Sequence, residues 1–268
     1  MNQSSLNRAT LNRRQLLQGT GVLAAAAAMS PLMQSAALAA PAQGLTAYGA
    51  SVCAGLGLGS PRQTPPNSTW FDQTALALGL RLPGMANPNA INGAAPGTSL
   101  SNSIEVQASH PERSTWGQFF WGGHAEVSKG AGYTVPGRMR QLARKYPGSP
   151  YLILGITNGK VGGTEGGTPT AYYTEAIAPG GINDQLADEH GPNRFFDVQA
   201  FLADPGPNGA LALSKITPTA ADKLAFDEKR VPPSLRPEKS QVHLNLIGQT
   251  RVAEKVTARV KAAGWFTA

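Results

Sequence analysis

Two short motifs near opposite ends of this chain carry residue types that do acyl-transfer chemistry. Gly49-Ala50-Ser51 closes an apolar run near the start, and His243-Leu244-Asn245 stands just before the last helical pattern. A serine hydroxyl is a weak nucleophile until a base takes its proton, and histidine is the side chain whose ordinary pKa suits that task. A serine on the turn after a first strand and a histidine before a last helix meet only in certain folds. Where they meet, they make a nucleophile and its general base.

The elements that must bring them together read as an alternation of strands and helices. Leu45–Ala50 is a short apolar segment running into a small-residue turn, the pattern of a buried strand. Ala90–Gly93 is a second, very short strand, Tyr151–Leu154 a clear third, and Phe195–Phe201, carrying Asp197, a fourth. Helices are expected at Trp70–Leu80 (capped by Ser68 or Thr69), Pro136–Tyr146 and Ala220–Phe226. The last helix is capped by Asn245, carries Ile247, Val252, Val256 and Val260 on one stripe, and stops at Gly264. Asn102–Gly132 has weak periodicity, with Trp116, Phe119, Phe120 and Trp121 set between glycines. This alternation implies a parallel sheet covered on both faces, with its site beyond the C-terminal ends of the strands. Ser51 and Asn158 each follow a predicted strand and so belong to that edge.

Residues 1–39 stand apart. Asn12-Arg13-Arg14-Gln15-Leu16-Leu17 is a twin-arginine pattern, an alanine-rich apolar stretch runs from Gly21 to Met29, and Ala37-Leu38-Ala39 offers a cleavage site. Residues 40–268 then form a single exported α/β domain, periplasmic or extracellular, with no stable membrane insertion after signal removal. The net charge of +7 includes the signal's Arg8, Arg13 and Arg14, so the domain itself is only mildly basic. With no Lys/Arg run and no recognition motif, nucleic acid is not an expected partner. The single cysteine, Cys53, allows no internal disulfide and reads as a small buried apolar residue. The high glycine and proline counts, 31 and 21, point to many long loops.

Four blocks line up in order: Gly49-Ala50-Ser51, Asn92-Gly93-Ala94-Ala95-Pro96-Gly97-Thr98, Gly155-Ile156-Thr157-Asn158, and His243-Leu244-Asn245. In this the chain resembles the SGNH (GDSL-type) hydrolase family, from about Thr46 to Trp265. The resemblance implies a three-layer α/β/α sandwich, flavodoxin-like, with a five-stranded parallel sheet. It implies Ser51 as nucleophile and His243 as general base. It also implies an oxyanion hole from the backbone N–H groups of Ser51 and Gly97 and the side-chain amide of Asn158. Such donors act where charge develops, and losing one costs roughly 3–4 kcal/mol in known cases.

The chain departs from the family pattern in three places. Ala50 stands where the family has aspartate, Gly159 ends the third block where the family has a second aspartate, and Ser240 holds the place of the aspartate three residues before the histidine. That acid orients the imidazole, and its loss costs roughly 10⁴ in rate in serine proteases. Ser240 or a backbone carbonyl can hold the ring instead, Glu238 can reach in, or the site is degenerate.

Gly55-Leu56-Gly57-Leu58-Gly59 suggests a dinucleotide loop only faintly, because Ser60-Pro61 follows where a helix should open. No cofactor is expected. The four histidines show no metal-ligand spacing, so no metal is expected either. The aromatic block gives two readings: a hydrophobic plug, or a cleft wall in which Trp116 and Trp121 stack on a sugar or acyl group. The expected function is an exported serine esterase cleaving short-chain acyl or carbohydrate O-acetyl esters. The alternative is a catalytically degenerate relative that binds polysaccharide or other envelope components.

Overall fold

The computed structural model describes residues 41–58, 67–158, 176–237 and 242–266. They lie within the compact unit Ala39–Ala268. Its centre is a five-stranded, wholly parallel sheet in the order β2-β1-β3-β4-β5. The strands are β1 Leu45–Gly49, β2 Ala90–Asn92, β3 Gly117–Trp121, β4 Tyr151–Leu154 and β5 Phe195–Phe196.

Side-chain alternation along the strands sorts the core into two halves. Leu45, Ala47, Phe119, Trp121, Leu152, Leu154 and Phe196 face α1 (Trp70–Ala77) and α9 (Leu246–Ala262). Tyr48, Phe120, Ile153 and Phe195 face α2 (Leu100–Ala108), α4 (Val135–Lys145) and α5 (Ile182–His190). A parallel sheet buried on both faces is thereby sandwiched between two helical layers, as its near-continuous apolar strands require.

Helix ends follow local chemistry. Thr69 caps α1 by accepting from Asp72 N–H, and Asn245 caps α9 by accepting from Gly248 N–H. Gly264, at φ +63°, follows the last turn of α9. Shorter helices fill the connections: α3 His124–Ser128, α6 Val198–Leu202, α7 Ala210–Leu213 and α8 Ala220–Asp227.

Two expectations change. The segment Phe195–Phe201 is strand for two residues only, because Asp197 accepts from Ala200 N–H and starts α6. The aromatic block is neither plug nor cleft wall. Residues 117–121 are the central strand, paired along their whole length with β1 from Leu45↔Gly117 to Gly49↔Trp121. Trp121 is fully buried, its indole N–H donating to Gly155 O and its ring edge-on to Trp70. Trp116 precedes β3 at the N-terminal end of the sheet, opposite the edge that carries Ser51.

Candidate active site

In the order 2-1-3-4-5 the chain reverses direction across the sheet between β1 and β3. The loops leaving these two neighbours diverge, and the crevice between them is where such sheets bind ligands. The loop leaving β1 carries Ser51; the loop leaving β3 is Gly122-Gly123-His124.

The first loop is held against its neighbours with little slack. Ala50 N–H donates to Trp121 O, and a Cβ on Gly49 would stand 2.0 Å from that same oxygen. The turn continues with Leu56 N–H donating to Ser51 O, while Cys53 O accepts from the Trp70 indole and the Asn92 amide. Cys53 itself is fully buried, its thiol pKa pushed up by desolvation. Gly57, at φ +123°, lets the turn lie on the far end of the chain: a Cβ there would be 2.6 Å from Leu244 O and 2.9 Å from His243 Cβ.

That packing brings the dyad together. His243 Nε2 lies 2.9 Å from Ser51 Oγ across a sequence separation of 192 residues. Both side chains are half-buried, so substrate can reach them. Burial lowers the His243 pKa below the ordinary histidine value, which leaves a neutral ring able to accept the serine proton. Glu238 and Ser240, the two candidate orienting groups, lie outside the described residues.

The second block hangs over the end of β1. Gly93 N–H donates to Ala47 O, Ala95 N–H to Gly49 O, and the Thr98 hydroxyl to Gly49 O and Ala95 O. Gly97 is exposed at φ +77°, and a Cβ there would meet nothing within 4 Å. The backbone conformation, not crowding, therefore calls for glycine at this position.

Asn158 has a different occupation from the one expected of it. It follows β4, two strands from β1 and so about 10 Å across the sheet. Its amide donates to the carbonyls of Lys229 (2.9 Å) and Glu228 (3.4 Å), and its backbone N–H donates to Gln199 Oε1. The amide is thus committed to the loop after α8.

The sequence reading passed over His124, which is 4% exposed and opens α3 directly after β3. Its Nε2 lies 3.1 Å from Thr157 N and 2.8 Å from Thr157 Oγ1. A backbone N–H can only donate, so Nε2 accepts and the ring proton sits on Nδ1. Burial, with the neighbouring His243 imidazole as a smaller cause, pushes the His124 pKa down to about 3. Two residues on, Glu126 Oε1 accepts from Leu100 N–H and from Arg138, each at 2.7 Å. The available signal was Gly122-Gly123-His124 after the apolar run Phe119–Trp121.

Among the described residues no group of His, Cys, Asp and Glu could hold a metal ion. A cleft of about 970 Å³ runs past Asp197, Phe201, Asp204, Glu228 and Lys229, and among the described residues its lining offers no hydroxyl or thiol nucleophile. The chemistry is concentrated where β1 meets β3.

Comparisons with known proteins bear on the export signal and the fold. The signal sequence of the twin-arginine translocation pathway matches residues 10–30, which marks the chain for export by that route. Among the described residues no helix is long and apolar enough to cross a membrane. No curated protein sequence matches the chain. The crystal structure of TesA superposes with a TM-score of 0.50 at 18% identity, covering 82% of this chain and 99% of that one. LAE5, an alpha/beta hydrolase enzyme from the metagenome of Lake Arreo, Spain, also gives 0.50, at 15% identity, covering 86% and 100%. A member of the lipolytic G-D-S-L family from Veillonella parvula is a more distant likeness, at 0.46 and 15% identity, covering 80% and 96%. The chain joins a twin-arginine export signal to a domain with the fold of the SGNH (GDSL-type) hydrolases.

Proposed function

We propose that this protein is an exported serine esterase that cleaves carboxylic esters through an acyl-enzyme. The observation that carries the reading is the 2.9 Å contact between Ser51 Oγ and His243 Nε2 at the carboxyl edge of the sheet. Ser51 Oγ attacks the ester carbonyl as its proton passes to His243 Nε2. The tetrahedral oxyanion is met by the backbone N–H groups of Ser51 and Gly97. It collapses as the alcohol leaves with the proton from His243. Water, deprotonated by the same imidazole, then attacks the acyl-serine and releases the carboxylate.

Small acyl groups, acetyl on carbohydrate first among them, suit an exported enzyme. The support is the exported location alone, since Trp116 lies at the opposite end of the sheet and the Trp121 side chain is fully buried. The place of the missing aspartate at Ser240 favours a second reading, a degenerate hydrolase scaffold that binds envelope polysaccharide.

Hydrolysis of p-nitrophenyl acetate and of an acetylated xylo-oligosaccharide, with Ser51→Ala alongside, decides between them. The esterase reading expects turnover that falls by roughly 10³-fold or more in the variant, with the melting temperature unchanged. Turnover equal in both proteins on both substrates would leave the binding reading.

A further inference from the structure

We propose that Asn245 is a positioning residue for the base: its side-chain amide fixes the backbone from which His243 meets Ser51. The inference rests on the esterase reading and adds a residue to it.

A general base must be held where the nucleophile stands before the substrate arrives, because a misplacement of about 1 Å can cost roughly 10²-fold in rate. His243 lies on a connecting segment, outside any strand or helix, two residues before the cap of α9. Such a segment keeps its place only if its own bonds tie it to something rigid.

Asn245 supplies those ties with both ends of its amide. Its Oδ1 accepts from Gly248 N–H at 3.1 Å, which caps α9. Its Nδ2 donates to Ser234 O at 2.9 Å and to Arg236 O at 3.3 Å, and its backbone N–H donates to Leu235 O at 3.0 Å. Three successive carbonyls thus grip one residue. A cap needs only an acceptor, and serine or aspartate would serve it as well. The donor end of the amide is what asparagine adds, and it is spent on this seat.

The seat is itself anchored. Ser234 donates from its N–H (3.0 Å) and its hydroxyl (2.8 Å) to the carboxylate of Asp222, a fully buried residue that also accepts from Thr219. Gly248 lets α9 come down on it, since a Cβ there would stand 2.7 Å from Leu235 O. Against the same segment lies the nucleophile's own turn, with Gly57 on Leu244 O and His243 Cβ. Leu244, between the base and Asn245, is fully buried. The seat and the turn together set where the imidazole starts.

Substitutions that keep the cap isolate the seat. Asn245→Ser and Asn245→Asp both retain an oxygen for Gly248 N–H, and neither retains the amide that donates to Ser234 O and Arg236 O. In the purified protein, kcat for p-nitrophenyl acetate should fall roughly 10-fold in Asn245→Ser and roughly 10²-fold in Asn245→Asp, whose carboxylate faces two carbonyls, with KM within about twofold of the parent. The melting temperature of Asn245→Ser should stay within about 3 °C of the parent, because the cap survives. A cap and nothing more would leave kcat and KM of both variants at the parent's values, and that result overturns the proposal. A raised KM at unchanged kcat also overturns it, since that pattern belongs to substrate binding. If Asn245→Asp does not fold, Asn245→Thr beside Asn245→Ser makes the same comparison. Ser51→Ala separates the two claims: Ser51-dependent turnover that Asn245→Ser retains in full overturns this assignment alone. Absence of any Ser51-dependent turnover in the parent removes the esterase reading and this assignment with it.

Discussion

Burial keeps both imidazoles of this site neutral, with different consequences for each. On the esterase reading His243 is the base, and its lowered pKa extends the range in which it would take the Ser51 proton. The acid limb of kcat/KM for ester hydrolysis should therefore have its midpoint below about 6.5, the ordinary histidine value; a midpoint above that value would mean an anion holds the ring. His124 bears on stability. Its pKa in the folded chain is about 3, so between that value and the unfolded value near 6.5 the unfolded chain binds a proton that the folded chain does not. Stability is then full above about pH 6.5 and is lost as pH falls, by at most about 1.4 kcal/mol per unit, until about pH 3. His124→Asn should flatten that slope in urea titrations across the window; an unchanged slope would show that other groups carry it. At Gly49 the limit is space. Alanine would drive its Cβ into the Trp121 carbonyl, a backbone group that cannot swing aside, and should cost about 3 kcal/mol in a urea melt. Ser51 and His243 stood out in the sequence because each sits in a short local motif; their 2.9 Å approach is a product of the fold.

Elements with one dominant pattern were read closely. The strand at Leu45–Gly49, the strand at Tyr151–Leu154, and the helices α1, α4, α8 and α9 all lie within a few residues of the bounds their sequences imply. β3 was not read as a strand, and the reason is physical. Gln118-Phe119-Phe120-Trp121 is a short apolar run between Gly117 and Gly122-Gly123, and glycines on both sides resemble a loop. Those glycines serve close packing: a Cβ on Gly117 would lie 2.7 Å from the Trp265 ring, and one on Gly122 2.6 Å from Leu100. Two tryptophans at the ends of this block should part company on mutation. Trp121→Ala empties the core between Trp70 and Gly155 and should cost about 3–5 kcal/mol of stability. Trp116→Ala, at the opposite end of the sheet from Ser51, should leave kcat and KM for a short ester unchanged; a raised KM would return it to the cleft.

At the scale of the whole molecule, the export signal and the domain make a consistent pair. The one cysteine is buried and reduced, so the fold needs no oxidising compartment to close. That suits a route able to carry a domain already folded in the cytoplasm. Replacing Arg13 and Arg14 together with lysine should leave an active protein stranded inside the cell, measured as ester hydrolysis in cytoplasmic and exported fractions. Activity still found outside would mean that another signal is read. The fold class was legible because strand and helix patterns alternate along nearly the whole domain. The strand order was not, since nothing local says which strand lies beside β1. The two halves of the dyad also differ in when they are made. Ser51 emerges early in synthesis and His243 some 192 residues later, a delay of about 10–40 s at ordinary ribosome speeds. Until α9 has emerged and settled on α1, the serine has no base. On the esterase reading the chain therefore cannot attack cytoplasmic esters while it is being made, and hydrolytic competence would arrive together with the finished fold.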